Sequence, residues 1–374
     1  MDVYTSLQED SSYRTIELND DLLQIVTTGS SPLFFKAPLK EEDGFAVLCS
    51  NDKTFKLKRK NHSNTVLLGY HEFTQDDMMT DNKITEQDVQ FKKIVTFSSF
   101  NSDFECKLEK GSINTSSLPI YTHESDPLTF QPQSYHLRCS LDELIDDSPI
   151  SSAEFDKIYY ELKGSEVNGF ACILSDSMIS QCLTRIIMTI QALATTAGKD
   201  IDDASNYHNI DPRILCERIN DDNYSYSVVK TVVRKFSSQD DEQNFSLDEK
   251  KVARWYGIEA LKIHAKKLVA PNEFLIKWKT SFPQFYNVPI ELRWLQGYYA
   301  KPLINRIQYF PKDFLSMDAK KRFQELFEVQ GTWELEDIEP FIQELNVKKL
   351  KIDKFIIKYA RKKTEGKKVV VMAR

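Results

Sequence analysis

Residues 346–374 carry eleven Lys and Arg against two acids, a local balance of +9 in a chain whose formal net charge is −7. Cations at that density can neutralise a run of phosphates, and Lys348, Lys349, Lys351, Lys354, Lys358, Arg361, Lys362, Lys363, Lys367 and Lys368 are the candidate DNA-binding set. Nine of the ten are lysines. An ammonium is a point charge, whereas base edges call for the fork of arginine or an amide, so the chemistry on offer is sequence-independent and salt-sensitive backbone binding. A solvated basic face, or a stripe that docks on an acidic protein, fits the same residues.

Catalytic patterns are absent. Gly164-Ser165-Glu166-Val167-Asn168-Gly169 has the two glycines of a phosphate loop, but Phe170 stands where the lysine belongs and no Ser or Thr follows. There is no GxGxxG, HExxH or GxSxG, and the six histidines at 62, 71, 123, 136, 208 and 264 are scattered. His71-Glu72 reads as a strand end, and the acid pairs Asp146-Asp147 and Asp202-Asp203 as solvated loops. No catalytic residue, metal or cofactor is expected. In the N-terminal region Leu33, Phe34 and Phe35 after Pro32, with Phe45 and Val47, form either an edge that pairs with another chain or an ordinary core strand.

The elements that must position these residues change character along the chain. Over 13–110 short runs separated by turn residues predict strands at Arg14–Leu18, Leu22–Thr27, Leu33–Lys36, Phe45–Cys49, Thr54–Lys58, Thr65–Tyr70, Ile94–Phe97 and Phe104–Leu108, spaced as in a small barrel. An acidic loop, Thr74–Val89, interrupts them. Residues 111–139, rich in Ser, Thr and Pro, read as a linker. Helices follow: Ser152–Leu162 with Phe155, Ile158, Tyr159 and Leu162 on one stripe, Ser175–Thr195, and one opened by Asp211-Pro212. Ser246-Leu247-Asp248-Glu249 has the form of a capping box for a helix reaching about Lys267.

Asn272–Lys279 and Val288–Leu295 then predict two shorter helices before strands at Tyr298–Ala300 and Arg306–Phe310. The order repeats with helices at Asp318–Phe327, Leu335–Leu345 and Lys351–Lys362 and strands at Thr332–Glu334 and Lys368–Met372. In the last helix Ile352, Phe355, Ile356 and Tyr359 would face inward while Lys351, Lys354, Lys358 and Arg361 face out. Helix, helix, helix, hairpin is the order of a winged helix. The expected fold is therefore α+β: a barrel-like partner-binding domain at 1–110, a linker at 111–139, and three tandem winged-helix domains at 140–245, 246–314 and 315–374. Trp255, Trp278, Phe282, Phe285, Tyr286, Trp294 and Trp333 are assigned to their cores.

With 374 residues, 41% hydrophobic and 28% charged, the chain has the composition of an ordinary folded protein of several domains. Its six cysteines include no CxxC and read as reduced thiols, placing the chain in the cytosol or nucleus. The segment Met1 to Arg14 has no apolar core, and the longest uncharged apolar stretch, Ile186 to Gly198, is short for a bilayer, so neither a signal peptide nor a membrane span is expected.

One stretch is more specific than any of these patterns. Phe274-Leu275-Ile276-Lys277-Trp278, Pro283, Leu295-Gln296-Gly297, Tyr309-Phe310-Pro311, Arg322-Phe323-Gln324-Glu325-Leu326-Phe327, Trp333 and Glu336-Asp337-Ile338-Glu339-Pro340-Phe341-Ile342 together resemble the Dcc family, "defective in sister chromatid cohesion". The match is clear over about 270–345, with the domain order agreeing along the chain. The resemblance implies a non-catalytic nuclear subunit of the alternative replication factor C (RFC) clamp loader built on the chromosome-transmission-fidelity large subunit. Its N-terminal domain would join the large and small chromosome-transmission-fidelity subunits in a composite barrel, within an assembly that contains the RFC small subunits. Its winged helices would contact single- and double-stranded DNA and the catalytic subunit of DNA polymerase epsilon, so that PCNA is loaded or unloaded at forks in support of cohesion. A winged-helix transcription or chromatin protein is the alternative, and would need arginine or asparagine in the recognition helix. A cullin-type scaffold would need helical repeats where this chain has strands.

Overall fold

A computed structural model describes residues 2–5, 12–37, 45–71, 93–125, 129–133, 136–201, 203–238, 245–346, 350–366 and 368–374. The expected acidic loop 74–89 lies outside them. The chain is mixed α and β and divides into two compact units, 1–119 with 131–173 and 120–130 with 174–374. The division falls within the stretch 140–245.

In the first unit β1 (Asp2–Thr5), β2 (Ile16–Glu17), β3 (Phe34–Lys36), β4 (Val47–Cys49), β5 (Thr54–His71) and β6 (Lys93–Leu108) form one sheet, ordered β1-β6-β5-β4-β3 with β2 also on β6. Among the described residues β1 and β3 each pair on one side only, so the described sheet is open and the expected barrel does not close among them. The paired runs Thr54–Lys58 and Thr65–Tyr70, and Ile94–Phe97 and Phe104–Leu108, merge into the two long strands β5 and β6, whose antiparallel register shifts between Asn61 and Val66. The predicted strand Leu22–Thr27 is instead a helix, α1 (Asp20–Thr28). Asn19 caps it by accepting from the Leu22 amide, Asp20 and Asp21 favour its N-terminus, and Gly29 at φ 60° ends it. Leu22 then packs with Leu48, Phe55 and Cys106 beneath the sheet.

The same unit holds α2 (Leu141–Asp147), α3 (Ser152–Glu161) and the hairpin of β8 (Gly164–Val167) and β9 (Phe170–Leu174); a two-residue strand, β7 (Ile120–Tyr121), precedes them in the chain. Asp146 and Asp147 end α2 rather than sit in a loop. Asn168 and Gly169, at φ 50° and 75°, form the tight two-residue turn, and Val167 pairs with Phe170. The glycine run that resembled a phosphate loop is thus a hairpin. Gly164 is small because a Cβ there would lie 2.3 Å from the Tyr159 ring. Within the Ser- and Thr-rich stretch expected as a linker, Leu118, Tyr121 and Phe130 are buried.

The second unit begins with α4 (Asp176–Thr196), α5 (Pro212–Ile219) and α6 (Tyr226–Phe236), an apolar bundle. Next come α7 (Glu249–His264), α8 (Pro271–Lys279), β10 (Tyr299–Leu303) and β11 (Arg306–Tyr309). Asp248, not Ser246, caps α7, because Leu247 is held in a bridge to Ser237 and Ser246 is buried beside it. The predicted helix Val288–Leu295 reduces to a 3-10 turn over Leu292–Leu295. Trp278 is fully buried, its indole donating to the Ala253 carbonyl at 3.0 Å, and Gly257 lets α7 approach where a Cβ would meet that indole at 2.6 Å. Phe285, expected in the core, is 57% exposed.

The chain finishes with α9 (Ala319–Val329), β12 (Thr332–Glu334), α10 (Leu335–Ile342), α11 (Ile352–Ile356), β13 (Arg361–Glu365) and β14 (Lys368–Met372), the last strand lying between β12 and β13. Phe323, Leu326, Trp333, Ile338, Phe341, Phe355, Ile356 and Val371 make the core of this module. No helix among the described residues is long and apolar enough to cross a membrane.

Candidate nucleic-acid and partner interfaces

The C-terminal cations do not share one helix. α11 spans only Ile352–Ile356, and the backbone turns through 357–360 so that Arg361 can open β13 opposite Met372. The inward half of the expected pattern holds: Phe355 and Ile356 are buried, with Ile352 and Tyr359 packed against them. The outward half is redistributed. Lys351 and Lys354 are exposed at α11, Lys358 is exposed in the turn, and Arg361 and Lys363 project from β13.

Strand register sorts the rest. Alternate residues face opposite sides, and Trp333, Val371 and Lys362 are aligned across the three strands, so Lys362 starts from the core side. Its ammonium is tied to Asp353 at 2.7 Å. Arg361 and Lys363 share the outer side with Val370, Met372 and Lys368, and Lys368 meets Glu334 at 2.5 Å. That hydrogen bond raises the pKa of Lys368 above the ordinary lysine value. Among the described residues Lys351, Lys354, Lys358 and Arg361 form no ion pair, which leaves their charge available to an anion. Lys348, Lys349 and Lys367 lie outside the described residues. Arg374, not anticipated, donates to the Ile357 carbonyl and adds a guanidinium beside the turn that carries Lys358.

The N-terminal candidates also divide. β3 is an edge strand, pairing only with β4 among the described residues, and Phe34 and Phe35 are 51% and 66% exposed. Leu33 instead packs against the Leu22 cluster, and Val47 is fully buried core. Phe45 is half-buried, with the Lys56 ammonium 3.9 Å above its ring. Lys36, unremarked in the sequence, ends β3 by donating to the carbonyls of Ile145 at 2.8 Å and Ile150 at 3.2 Å. No cluster of three or more His, Cys, Asp or Glu side chains able to hold a metal occurs among the described residues.

Arg322 and Asp337, the buried polar residues of the most specific sequence stretch, are bonded within the fold. Arg322 is 1% exposed and donates to the carbonyls of Ser316 at 2.7 Å, Phe341 at 2.9 Å and Leu315 at 3.0 Å, with Glu344 completing its shell. Asp337 takes the Lys301 ammonium at 2.7 Å and the Gln296 amide at 3.3 Å. The Trp333 indole donates to Leu326 at 3.1 Å, and Gly297, at φ 90°, passes 3.4 Å from Pro340 if given a Cβ. These bonds join the 296–301 segment and α9 to α10, which explains why that spacing mixes aromatic with polar positions.

A family model described as "Sister chromatid cohesion protein Dcc1" matches residues 13–342. The chain is 35% identical to the sister chromatid cohesion protein DCC1 of Saccharomyces cerevisiae, with all of both chains covered. It is 23% identical to the probable DCC1 of Dictyostelium discoideum over 98% of this chain and 96% of that one, and 24% identical to the Homo sapiens DCC1 over 92% and 84%.

Proposed function

The chain belongs to the Dcc1 family of sister chromatid cohesion proteins, and from that premise we propose that it is a non-catalytic, nuclear subunit of an alternative RFC-type clamp loader acting on PCNA at replication forks. The family match over nearly the whole chain carries this reading. The open sheet of the first unit is then completed by strands of the large and small chromosome-transmission-fidelity subunits, with the exposed edge at Phe34 and Phe35 as one seam. The helix-and-hairpin modules of the second unit act as winged helices toward DNA and polymerase epsilon. The element order of the last module supports this: helix, strand, two helices and a hairpin whose second strand lies beside the first strand.

The DNA contact is backbone binding by Lys351, Lys354, Lys358, Arg361 and their neighbours. With Lys362 and Lys368 already paired to acids, about four phosphates are neutralised and log K falls with log[salt] at a slope of about −4. Replacing Lys354, Lys358 and Arg361 with Glu weakens binding to two unrelated duplexes equally and flattens that slope, while co-purification with the other subunits persists. Fluorescence anisotropy at several salt concentrations reads both. An unchanged slope makes the surface a solvated or protein-docking face. Tagged chain recovered without ATPase partners counts against the clamp-loader assignment and favours the transcription-factor alternative.

A further inference from the structure

The turn joining β10 to β11 carries an apolar side chain that is uncovered among the described residues. Leu303 pairs with Arg306 across the hairpin, so Ile304 and Asn305 form a two-residue turn. Turns of this length favour Asn, Asp or Gly, and Asn305, at φ 59°, fits that preference. Ile304 does not. It is 99% exposed, and Leu303 beside it is 57% exposed. The hairpin behind them is braced: Ile307 bridges to Val269, the Lys301 amide donates to the Gln330 side chain at 2.7 Å, and the Lys301 ammonium meets Asp337 at 2.7 Å. The register shift between Ala300 and Leu303 falls at Lys301-Pro302, between this braced base and the bare tip.

The surroundings are cationic. Neither 260–272, which runs beside β11, nor 295–312, which contains the hairpin, has an Asp or Glu. Arg306 shares a face with Leu303, and Arg306, Lys266 and Lys267 are exposed and form no ion pair among the described residues. The predicted recognition helix of this module reduces to the turn at Leu292–Leu295, which leaves the hairpin as the element a groove could accept.

We propose that the β10–β11 tip is a wedge for the minor groove of duplex DNA, in which Ile304 and Leu303 part a base step and Arg306 meets a flanking phosphate. The proposal rests on the DNA reading above and gives it a second site, adding one phosphate to those met by the last module. A groove about 6 Å wide takes a two-residue turn but not a helix, and aliphatic side chains flanked by Arg and Asn are the types that enter it. Single strands call for aromatic rings on which bases stack, and the tip has none. An apolar pocket on a protein would need no cations around the tip. Parting a step bends the duplex by roughly 20–90°.

The test uses the full-length chain and a short duplex with donor and acceptor dyes at its ends. Energy transfer reads bending, and anisotropy reads affinity at several salt concentrations. Wild type raises energy transfer on binding. L303S combined with I304S removes that rise and weakens binding about tenfold at an unchanged salt slope, since it deletes apolar contact and no charge. I304S alone, at the barest position, acts in the same direction. R306A keeps the bend and flattens the slope by about one. Wild type that binds without bending, or a double-serine chain that binds and bends as wild type does, overturns the wedge and leaves the DNA reading in place. Wild type that binds no duplex at all removes both. Loss of a co-purifying subunit from the double-serine chain, with bending intact, also overturns the proposal and makes the tip a protein contact.

Discussion

Arg322 shows how one side chain can hold a module together. Its guanidinium satisfies three main-chain carbonyls from two segments at once, and only a planar fork with several donors reaches them all. Arg322→Lys keeps the charge but strands at least one buried carbonyl, so the C-terminal module should lose about 2–4 kcal/mol. Denaturant titration followed by tryptophan fluorescence, to which Trp333 in the core of this module contributes, measures this, and a midpoint equal to wild type would refute it. Cysteine reactivity separates in the same residue-by-residue way. Cys49, Cys106, Cys139, Cys172 and Cys182 are buried and Cys216 is half-exposed. Burial pushes the Cys139 thiol up to about 11 and Cys172 up to about 12, so little thiolate exists near neutral pH. Timed alkylation of native protein at pH 8 should mark Cys216 first and the other five only on unfolding. Early labelling of Cys139 or Cys172 would mean that their packing opens.

At the scale of elements, legibility tracked the presence of punctuation. α3, α4, α8, α9, β12 and β14 lie within a residue or two of their predicted bounds, because capping residues, Pro and hydrophobic periodicity agree there. α1 was misread because Leu, Ile, Val and Thr favour strands, although Asn19, Asp20, Asp21 and Gly29 were in place to signal a helix. α11 was overextended because its stripes ignore a competing partner: residues 361–365 gain a full ladder on β14 by leaving the helix. The candidate cations were legible as a group, while their division by face depends on that ladder and was not. The sheet of the first unit also leans on later elements. Thr54 accepts from the Ser151 amide at 2.8 Å, the Ala153 amide donates to Asn51 at 3.1 Å, and Lys36 reaches Ile145 and Ile150. A fragment 1–110 should therefore aggregate or melt without cooperativity, and extension to residue 175 should sharpen its transition in circular dichroism. Cooperative, monomeric melting of 1–110 would contradict this.

For the whole molecule, Gly164–Phe170, the one stretch with the glycine spacing of a phosphate loop, folds as a tight hairpin and offers no phosphate cradle. Purified alone, the chain should neither bind nor hydrolyse ATP. Turnover that follows this polypeptide through ion exchange would reverse that conclusion. The edge strand carries a different consequence. β3 is three residues long and is pinned at its end by Lys36, so a strand laid along it gains only a few main-chain hydrogen bonds. A free peptide from solution, or a second copy of the chain, would be held too briefly to persist. A strand covalently joined to a partner already gripped elsewhere meets the same edge at a high effective concentration, and docking then follows from tethering rather than from intrinsic affinity. In the assembly proposed above, the short edge would favour strands that arrive already tethered to a bound partner.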